Sequence, residues 1–169
     1  MQTRREFTAA TLAIGAASCS PGATDSVREN VVNDVTQLNP IRVERVATPT
    51  TVEDVATLIR NHDGPISIGG GRFSQGGQIA REGALFIDMR RLKTIHAIDE
   101  AARTIRAEAG ATWRDIQEAV DPLDLSPAIM QSFCNFTVGG SLSVNCHGDY
   151  NRHGPIIASV RSIALIVAD

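Results

Sequence analysis

Hydrophobic residues recur at two different periods along the chain, and each period predicts a different kind of element. Val52, Val55 and Ile59 fall at helical spacing, and Thr51 with Asp54 three residues later has the form of a capping box. The sequence therefore predicts a helix that begins after Thr51 and ends before the Asp-Gly-Pro turn that follows it.

Short apolar runs flank this helix and predict strands. Residues 41–46 precede it, residues 65–68 follow it, and residues 84–88 form a third run that leads into a turn at 89–92. A strand, a helix and a strand in this order make a βαβ unit.

The second half of the chain has a mixed pattern. Residues 94–98 and 104–109 predict a β-hairpin, and apolar residues at helical spacing over 113–120 predict a helix behind a second Thr-x-x-Asp capping sequence. Residues 137–147 predict a short helix or turn, and residues 160–167 predict a closing strand. These elements together predict an α+β fold.

Two glycine-rich stretches stand out between these elements. Residues 68–77 read I-G-G-G-R-F-S-Q-G-G, and residues 137–148 read T-V-G-G-S-L-S-V-N-C-H-G. Glycine lacks a β-carbon, so such loops can bring backbone N–H groups close to an anion. The first stretch departs from the dinucleotide fingerprint, with Ser74 in place of the third glycine, and from the Walker loop, with Gly77 and Gln78 in place of its last two residues. A tight surface loop is the alternative for either stretch alone.

Composition excludes two classes of protein. The 169 residues carry a net charge of −3 and no basic face with interleaved aromatics, which argues against nucleic-acid binding. The three cysteines are too few for a disulfide framework.

The N-terminus has the features of an export signal. Paired arginines in Thr3-Arg4-Arg5-Glu6-Phe7 precede a short apolar run, a sequence that resembles a twin-arginine signal peptide over residues 1–19. Cys19 ends a weak lipoprotein box, so the protein is predicted to be periplasmic or membrane-anchored, and cytoplasmic if this start is only a disordered tail. A linker over residues 20–39 and a folded domain over residues 40–169 are predicted to follow. The domain is predicted to contain a first subdomain over about 40–93 and a second over about 94–169.

The two loops together resemble the FAD-linked oxidases whose FAD-binding domain is named after para-cresol methylhydroxylase (PCMH-type) and which include vanillyl-alcohol oxidase. The first loop matches at Gly69 to Ser74, and the second at Thr137 to Gly140 and Asn145 to Gly148. With Gly154, the second match is most similar to the decaprenylphosphoryl-ribose oxidase and sugar oxidase branch. The resemblance implies that the first loop wraps the pyrophosphate, that the second lies along the flavin, and that FAD sits between the two subdomains.

The resemblance assigns the cofactor to a defined set of residues. The predicted FAD-binding residues are Gly69, Gly70, Gly71, Arg72, Phe73, Ser74, Gly76, Gly77, Thr137, Val138, Gly139, Gly140, Ser143, Asn145, His147, Gly148 and Gly154. The hydroxyls of Ser74, Thr137 and Ser143 can donate to phosphate oxygens. Arg72 either adds charge there or lies on a solvated loop.

Two further residues concern the flavin ring. Asn145 and His147 can stabilise its reduced form, although a structural histidine bonded to a backbone carbonyl is the alternative for His147.

One departure from the family pattern concerns the attachment of the cofactor. Many members carry, in the first loop, a histidine that is covalently bonded to the flavin, and Phe73 stands in its place. The sequence therefore predicts dissociable FAD. Cys134 lies one residue away from a cysteine that attaches flavin in some relatives, and we interpret it as a small buried thiol. A zinc site including the adjacent Cys146 and His147 is disfavoured, because neighbouring residues converge poorly on one tetrahedron.

These features predict a flavin-dependent oxidoreductase. The resemblance implies hydride transfer from an alcohol or sugar-like CH–OH group to flavin N5, with reoxidation by oxygen or another acceptor. The resemblance implies that the catalytic base lies on a second domain that follows the FAD-binding domain. The chain stops at Asp169 directly after a predicted strand, so it is expected to be a fragment. A flavin- or nucleotide-binding module without activity and an exported structural lipoprotein are the alternatives.

Overall fold

The computed structural model describes residues 30–149 and 152–167. Its central element is a three-stranded parallel sheet in the order β3, β5, β4, with β3 at Arg45–Ala47, β4 at Ile66–Gly69 and β5 at Leu85–Asp88. Strand β5 is the central strand, paired along both edges, and all four of its residues are buried.

Helix α1, Val52–Arg60, connects β3 to β4, so the predicted βαβ unit is present. Its predicted capping box is also present: the Asp54 N–H donates to Thr51 Oγ1 at 3.0 Å, and the Thr51 N–H donates to Asp54 Oδ2 at 3.0 Å. Val55 is the buried residue of the helix.

The second part of the chain contains the predicted hairpin and two helices. Strands β6, Ile95–Asp99, and β7, Thr104–Ala107, pair antiparallel. Helix α2, Trp113–Val120, and the short helix α3, Val138–Ser143, follow. The core of this part is formed by apolar side chains of α2 and the later loops, namely Trp113, Ile116, Val120, Ile129 and Ile156. The α+β prediction is confirmed.

The structure differs from the sequence interpretation before residue 40. Residues 30–39 were assigned to a linker, but β1, Val31–Val32, pairs antiparallel with β2, Ile41–Arg42. Val32 is fully buried in a cluster with Phe86 of the central strand. Burial of this side chain attaches the segment to the domain. The predicted signal peptide and Cys19 lie outside the described residues.

The predicted strand at residues 160–167 is not formed. The backbone there has no strand assignment, and Ile163, Leu165 and Val167 are all more than half exposed. An apolar sequence becomes a strand only when its N–H and C=O groups find a ladder partner, and the described part of the chain places none beside it. Among the helices of residues 30–149 and 152–167, none is long and apolar enough to cross a bilayer.

Candidate functional site

The first glycine loop begins where β4 ends, at the carboxyl edge of the parallel sheet. Gly69 is paired with Asp88 of β5, and a β-carbon on Gly69 would overlap the ring of Phe86. Ligands of open α/β sheets bind outside the carboxyl ends of the strands. The loop therefore starts at a favourable position for a binding site.

The second glycine loop, residues 137–148, begins as helix α3. Thr137 caps this helix, and its Oγ1 accepts from the Gly140 N–H at 3.3 Å. The N–H groups of Val138 and Gly139 donate to carbonyl oxygens of the segment before α2, at 2.8 Å in each case. These donors are thus bonded within the protein, and the start of α3 forms a wall rather than a set of free donors.

The two glycine loops are in direct contact. A β-carbon on Gly70 would overlap Thr137 Oγ1. A β-carbon on Gly71 would lie 2.7 Å from a ring carbon of Phe73 and 3.3 Å from the carbonyl oxygen of Asn135. A β-carbon at position 70 would therefore force Thr137 to move, and one at position 71 would force the Phe73 ring to move, so glycine allows the close approach at both positions.

Three phenylalanine rings pack together beside this contact. The ring centroid of Phe73 lies 5.2 Å from that of Phe133 and 4.8 Å from that of Phe136, both edge to face. Phe133 and Phe136 also meet edge to face, at 5.4 Å. Such aromatic pairs add about 0.5–1.5 kcal/mol beyond their buried area. Phe73 therefore fixes the first loop against the segment that leads to Thr137.

Arg72 is neither a solvated loop residue nor directed at open solvent. Its Nη2 lies 2.8 Å from Asp88 Oδ2, its guanidinium carbon lies 5.2 Å from the centre of the Phe86 ring, and its side chain is 22% exposed. Arg90 pairs with the same carboxylate. Burial acts to raise the pKa of Asp88, but hydrogen bonds from Arg90 and Arg72 outweigh it and hold the pKa below its ordinary value. Arg72 is thus held by Asp88 of the sheet and shares this single carboxylate with Arg90.

The backbone of the first loop carries free donors. In residues 30–149 and 152–167, no acceptor is bonded to the N–H groups of Arg72, Phe73 and Ser74, and Arg72 Nε is buried without a partner. Arg72 has a left-handed backbone with φ of 62°. Successive N–H groups next to a left-handed residue form a concavity suited to an anion. These donors fit a diphosphate group.

The far end of the first loop is occupied by a carboxylate of the protein. The N–H groups of Gly76 and Gly77 donate to Asp34 Oδ2 at 3.0 and 3.1 Å. Both glycines have left-handed backbones, with φ of 88° and 77°. Both glycines were predicted from the sequence to contact the cofactor, whereas their N–H groups are bonded to Asp34. Asp34 was not predicted, because its polar segment was interpreted as a linker, although the apolar pair Val31–Val32 before it in β1 was a signal of burial.

The remaining polar residues predicted for the second loop make local contacts. Ser143 Oγ donates to the carbonyl oxygen of Gly139 at 2.8 Å, so its donor is used inside α3. Asn145 is exposed, has a φ of 45°, and accepts from the Ile157 N–H through Oδ1 at 3.4 Å. The amide nitrogen of its side chain is the group that remains to contact a ligand.

His147 contacts the backbone of its neighbour. Its Nδ1 lies 2.9 Å from the carbonyl oxygen of Gly148, and its backbone bridges to Pro155. A structural histidine bonded to a backbone carbonyl was the alternative interpretation of His147, and the structure has this bond. Because Nδ1 makes it, Nε2 is not used in the bond to Gly148. A β-carbon on Gly148 would overlap the carbonyl oxygen of Met130, and Gly154 has a φ of 73° with open space around it.

The sole tryptophan of the chain connects the second loop to α2. Trp113 Nε1 lies 3.1 Å from Ser141 Oγ and 3.0 Å from Gln131 Oε1. Trp113 and Ser141 are buried. The fluorescence of the indole is therefore sensitive to the position of α3. Helical periodicity predicted that Trp113 lies in a helix but did not predict this contact with Ser141.

The cysteines lie near the second loop without forming a metal site. Cys134 is half-buried, with Sγ 3.9 Å from Asn135 Oδ1, and burial raises the pKa of the Cys146 thiol. Within the described ranges, no group of three or more His, Cys, Asp or Glu side chains is placed to hold a metal ion.

Comparison with known sequences and structures identifies this arrangement. The FAD binding domain family matches residues 43–169. Decaprenylphosphoryl-β-D-ribose oxidase of Mycolicibacterium smegmatis is 33% identical over 107 residues, which are 63% of this chain and 23% of that protein. Alditol oxidase of a Streptomyces species is 28% identical over 131 residues, 75% of this chain and 31% of that protein. The chain thus spans about a quarter to a third of the length of these relatives.

A solved structure shows the same fold. The crystal structure of cholesterol oxidase from B. sterolicum matches 80% of this chain and 27% of its own chain, with a TM-score of 0.61 and 20% sequence identity. The predicted resemblance is therefore confirmed by sequence and by fold. The chain belongs to the FAD binding domain family of the FAD-linked oxidases, and its cofactor is FAD.

Proposed function

We propose that this chain is the FAD-binding part of an oxidoreductase that removes hydride from a CH–OH carbon of an alcohol or sugar-like substrate. The observation that carries the proposal is the row of free N–H groups at Arg72, Phe73 and Ser74, placed where the two glycine loops touch. The names of two relatives, a decaprenylphosphoryl-ribose oxidase and an alditol oxidase, support a hydroxylated substrate.

The two loops have different roles in this proposal. The first supplies backbone donors to the diphosphate, and the second supplies a wall for the flavin from Thr137 to Gly148. Asn145 and His147, at the end of that wall, have donors that can reach the ring. Bound FAD supplies the hydride acceptor, and oxygen or another acceptor reoxidises it.

Reconstitution with FAD tests the binding part of the proposal. The purified protein should turn yellow and quench the fluorescence of Trp113 as FAD is titrated. Gly70→Val places side-chain atoms between the two loops, and we expect it to weaken FAD binding at least about tenfold. Gly83→Ala is the control, because no atom lies within 4 Å of a β-carbon there, and it should bind FAD like the wild type. A colourless wild-type protein would refute the proposal.

Anaerobic reduction tests the chemistry. The full gene product, loaded with FAD, is mixed with a panel of alditols, aldoses and simple alcohols, and the flavin absorbance is followed. Bleaching by one class of hydroxylated compound is the expected result. A protein that binds FAD but is bleached by none of them would be a binding module rather than an oxidoreductase.

We also propose that FAD is held without a covalent bond. A phenylalanine ring forms no bond to flavin, and Phe73 is packed against two other aromatic rings. Acid precipitation of the yellow protein should leave the flavin in the supernatant. Flavin in the pellet would refute this part of the proposal, and a Cys134→Ser variant would then test whether that thiol is the attachment point.

Export through the twin-arginine route, with lipid attachment at Cys19, completes the proposal. It is supported by the sequence Thr3-Arg4-Arg5-Glu6-Phe7 and the apolar run that follows. Replacement of Arg4 and Arg5 together by lysine should retain the protein in the cytoplasm. Cys19→Ser should release it from the membrane fraction without blocking export.

A further inference from the structure

Asp34 is a fully buried carboxylate with an unusually complete set of donors. Its Oδ2 accepts from the N–H groups of Gly76 and Gly77 and from Asn39 Nδ2 at 2.9 Å. Its Oδ1 accepts from the backbone N–H of Thr36 at 2.8 Å and from the hydroxyl of the same residue. Every one of these donors is uncharged, so the only formal charge in the cluster is that of the carboxylate.

The residue after Asp34 holds a second point of the same loop. The Val35 N–H donates to the carbonyl oxygen of Arg72 at 2.9 Å. In a trans peptide the C=O of one residue and the N–H of the next point in opposite directions. The Phe73 N–H is therefore directed away from the segment that contains Val35, toward the other side of the loop.

We propose that Asp34 is a positioning residue for FAD, which fixes the rear of the first glycine loop so that its free N–H groups face the diphosphate. We call the bonds from the Gly76 and Gly77 N–H groups to Asp34 the anchor. The anchor follows Phe73 and Ser74 in the chain, and the bond from the Val35 N–H to the Arg72 carbonyl oxygen precedes them. A loop held at both ends presents donors in one orientation, and pre-organised donors lower the cost of binding. This inference rests on the proposed placement of the diphosphate at the first loop.

The chemistry of the anchor explains why an acid occupies this position. A carboxylate accepts several hydrogen bonds without offering a donor of its own, and the glycine N–H groups are donors only. The hydroxyl of Thr36, together with backbone and side-chain bonds from Gly77, Thr36 and Asn39, lowers the pKa of Asp34 to about 2 despite the opposing effect of burial. Asp34 is therefore ionised at neutral pH.

Titration with FAD and with riboflavin tests the inference, because riboflavin has the ring but lacks the diphosphate. For Asp34→Ala we expect the dissociation constant of FAD to rise at least about tenfold, while that of riboflavin rises by less than about threefold. Asp34→Asn keeps one acceptor oxygen for the two glycines and should restore most of the preference for FAD. Asp99→Ala is the matched control, since it removes a carboxylate that accepts the Ala102 N–H in the hairpin of β6 and β7, outside the Asp34 cluster, and it should leave the preference unchanged.

Amide hydrogen exchange of the wild-type protein provides a test that does not depend on the stability of any variant. The amides of Gly76 and Gly77 should be protected with and without FAD, whereas those of Phe73 and Ser74 should gain protection only when FAD is added. Unprotected Gly76 and Gly77 amides would overturn the inference. If Asp34→Ala is folded and still prefers FAD over riboflavin as the wild type does, the positioning role of Asp34 is refuted and the diphosphate site is not. If the wild type itself does not prefer FAD over riboflavin, the diphosphate site at the first loop is refuted as well.

Discussion

The contact between the two glycine loops can be tested by replacing Gly70 with alanine. The new β-carbon would overlap Thr137 Oγ1 and lie 3.2 Å from Thr137 Cβ. Thr137 has little room to move, because it is 3% exposed, caps α3 and bridges to Thr112. Overpacking of this kind costs about 1–3 kcal/mol. We expect Gly70→Ala to lower the free energy of unfolding by that amount.

Thr137→Ala should relieve the overlap by removing Oγ1. Alone it removes the cap of α3, which costs about 1 kcal/mol. In the double variant the alanine at position 70 no longer meets Oγ1. Its loss of unfolding free energy should therefore be smaller than the sum of the losses in the two single variants, by about 1 kcal/mol or more. Urea denaturation followed through Trp113 fluorescence measures the four free energies of the cycle.

Additivity would refute the reasoning. If the effects of Gly70→Ala and Thr137→Ala add within about 0.5 kcal/mol, the two loops do not touch as described. The control pair is Gly83→Ala with Thr137→Ala. Gly83 has a φ of 69° and open space around it, so its substitution is costly for the backbone but should not be rescued at Thr137.

Three further predictions concern buried groups. Asp88→Asn should destabilise the protein by about 1–3 kcal/mol in chemical denaturation, because Arg72 and Arg90 both lose the buried anion that they share; an unchanged midpoint would contradict this. Ile116→Ala should cost about 2–5 kcal/mol by leaving a cavity in the core of the second part, and a loss below about 1 kcal/mol would show that the site collapses or is exposed. The pKa of Asp34 is lowered from 3.8 to about 2, chiefly by the Thr36 hydroxyl, so its stabilisation is complete above pH 3.8 and is lost as the pH falls toward 2. The free energy of unfolding of Asp34→Asn should therefore vary less steeply over that range than that of the wild type, and parallel profiles would argue against the assignment.

Local signals in the sequence were sufficient for the helices and most strands. Thr51 and Thr112 each precede an aspartate at the third helical position, and both capping boxes are formed as predicted. The apolar run at β5 was recognised because burial on both faces of the sheet leaves a continuous hydrophobic segment. These features depend on residues a few positions apart.

Interactions between distant residues could not be inferred in the same way. Asp34 bonds to glycines more than forty residues later, and Arg72 pairs with Asp88 across the sheet. The first N–H groups of α3 would be free in an isolated helix, but carbonyl oxygens before α2 accept them. The wrong prediction of a strand at residues 160–167 has the same origin. A strand needs a hydrogen-bonded neighbour from elsewhere in the chain, and the local sequence does not show whether one is present.

The arrangement of the central sheet imposes an order on biosynthesis. Among the strands of residues 30–149 and 152–167, β3 and β4 do not pair with each other, and each pairs only with β5, which is translated after them. A nascent chain on the ribosome therefore exposes unpaired edges of β3 and β4 until Leu85–Asp88 has emerged. Such edges attract non-native partners. Chaperone binding to stalled chains should consequently peak just before this strand leaves the exit tunnel.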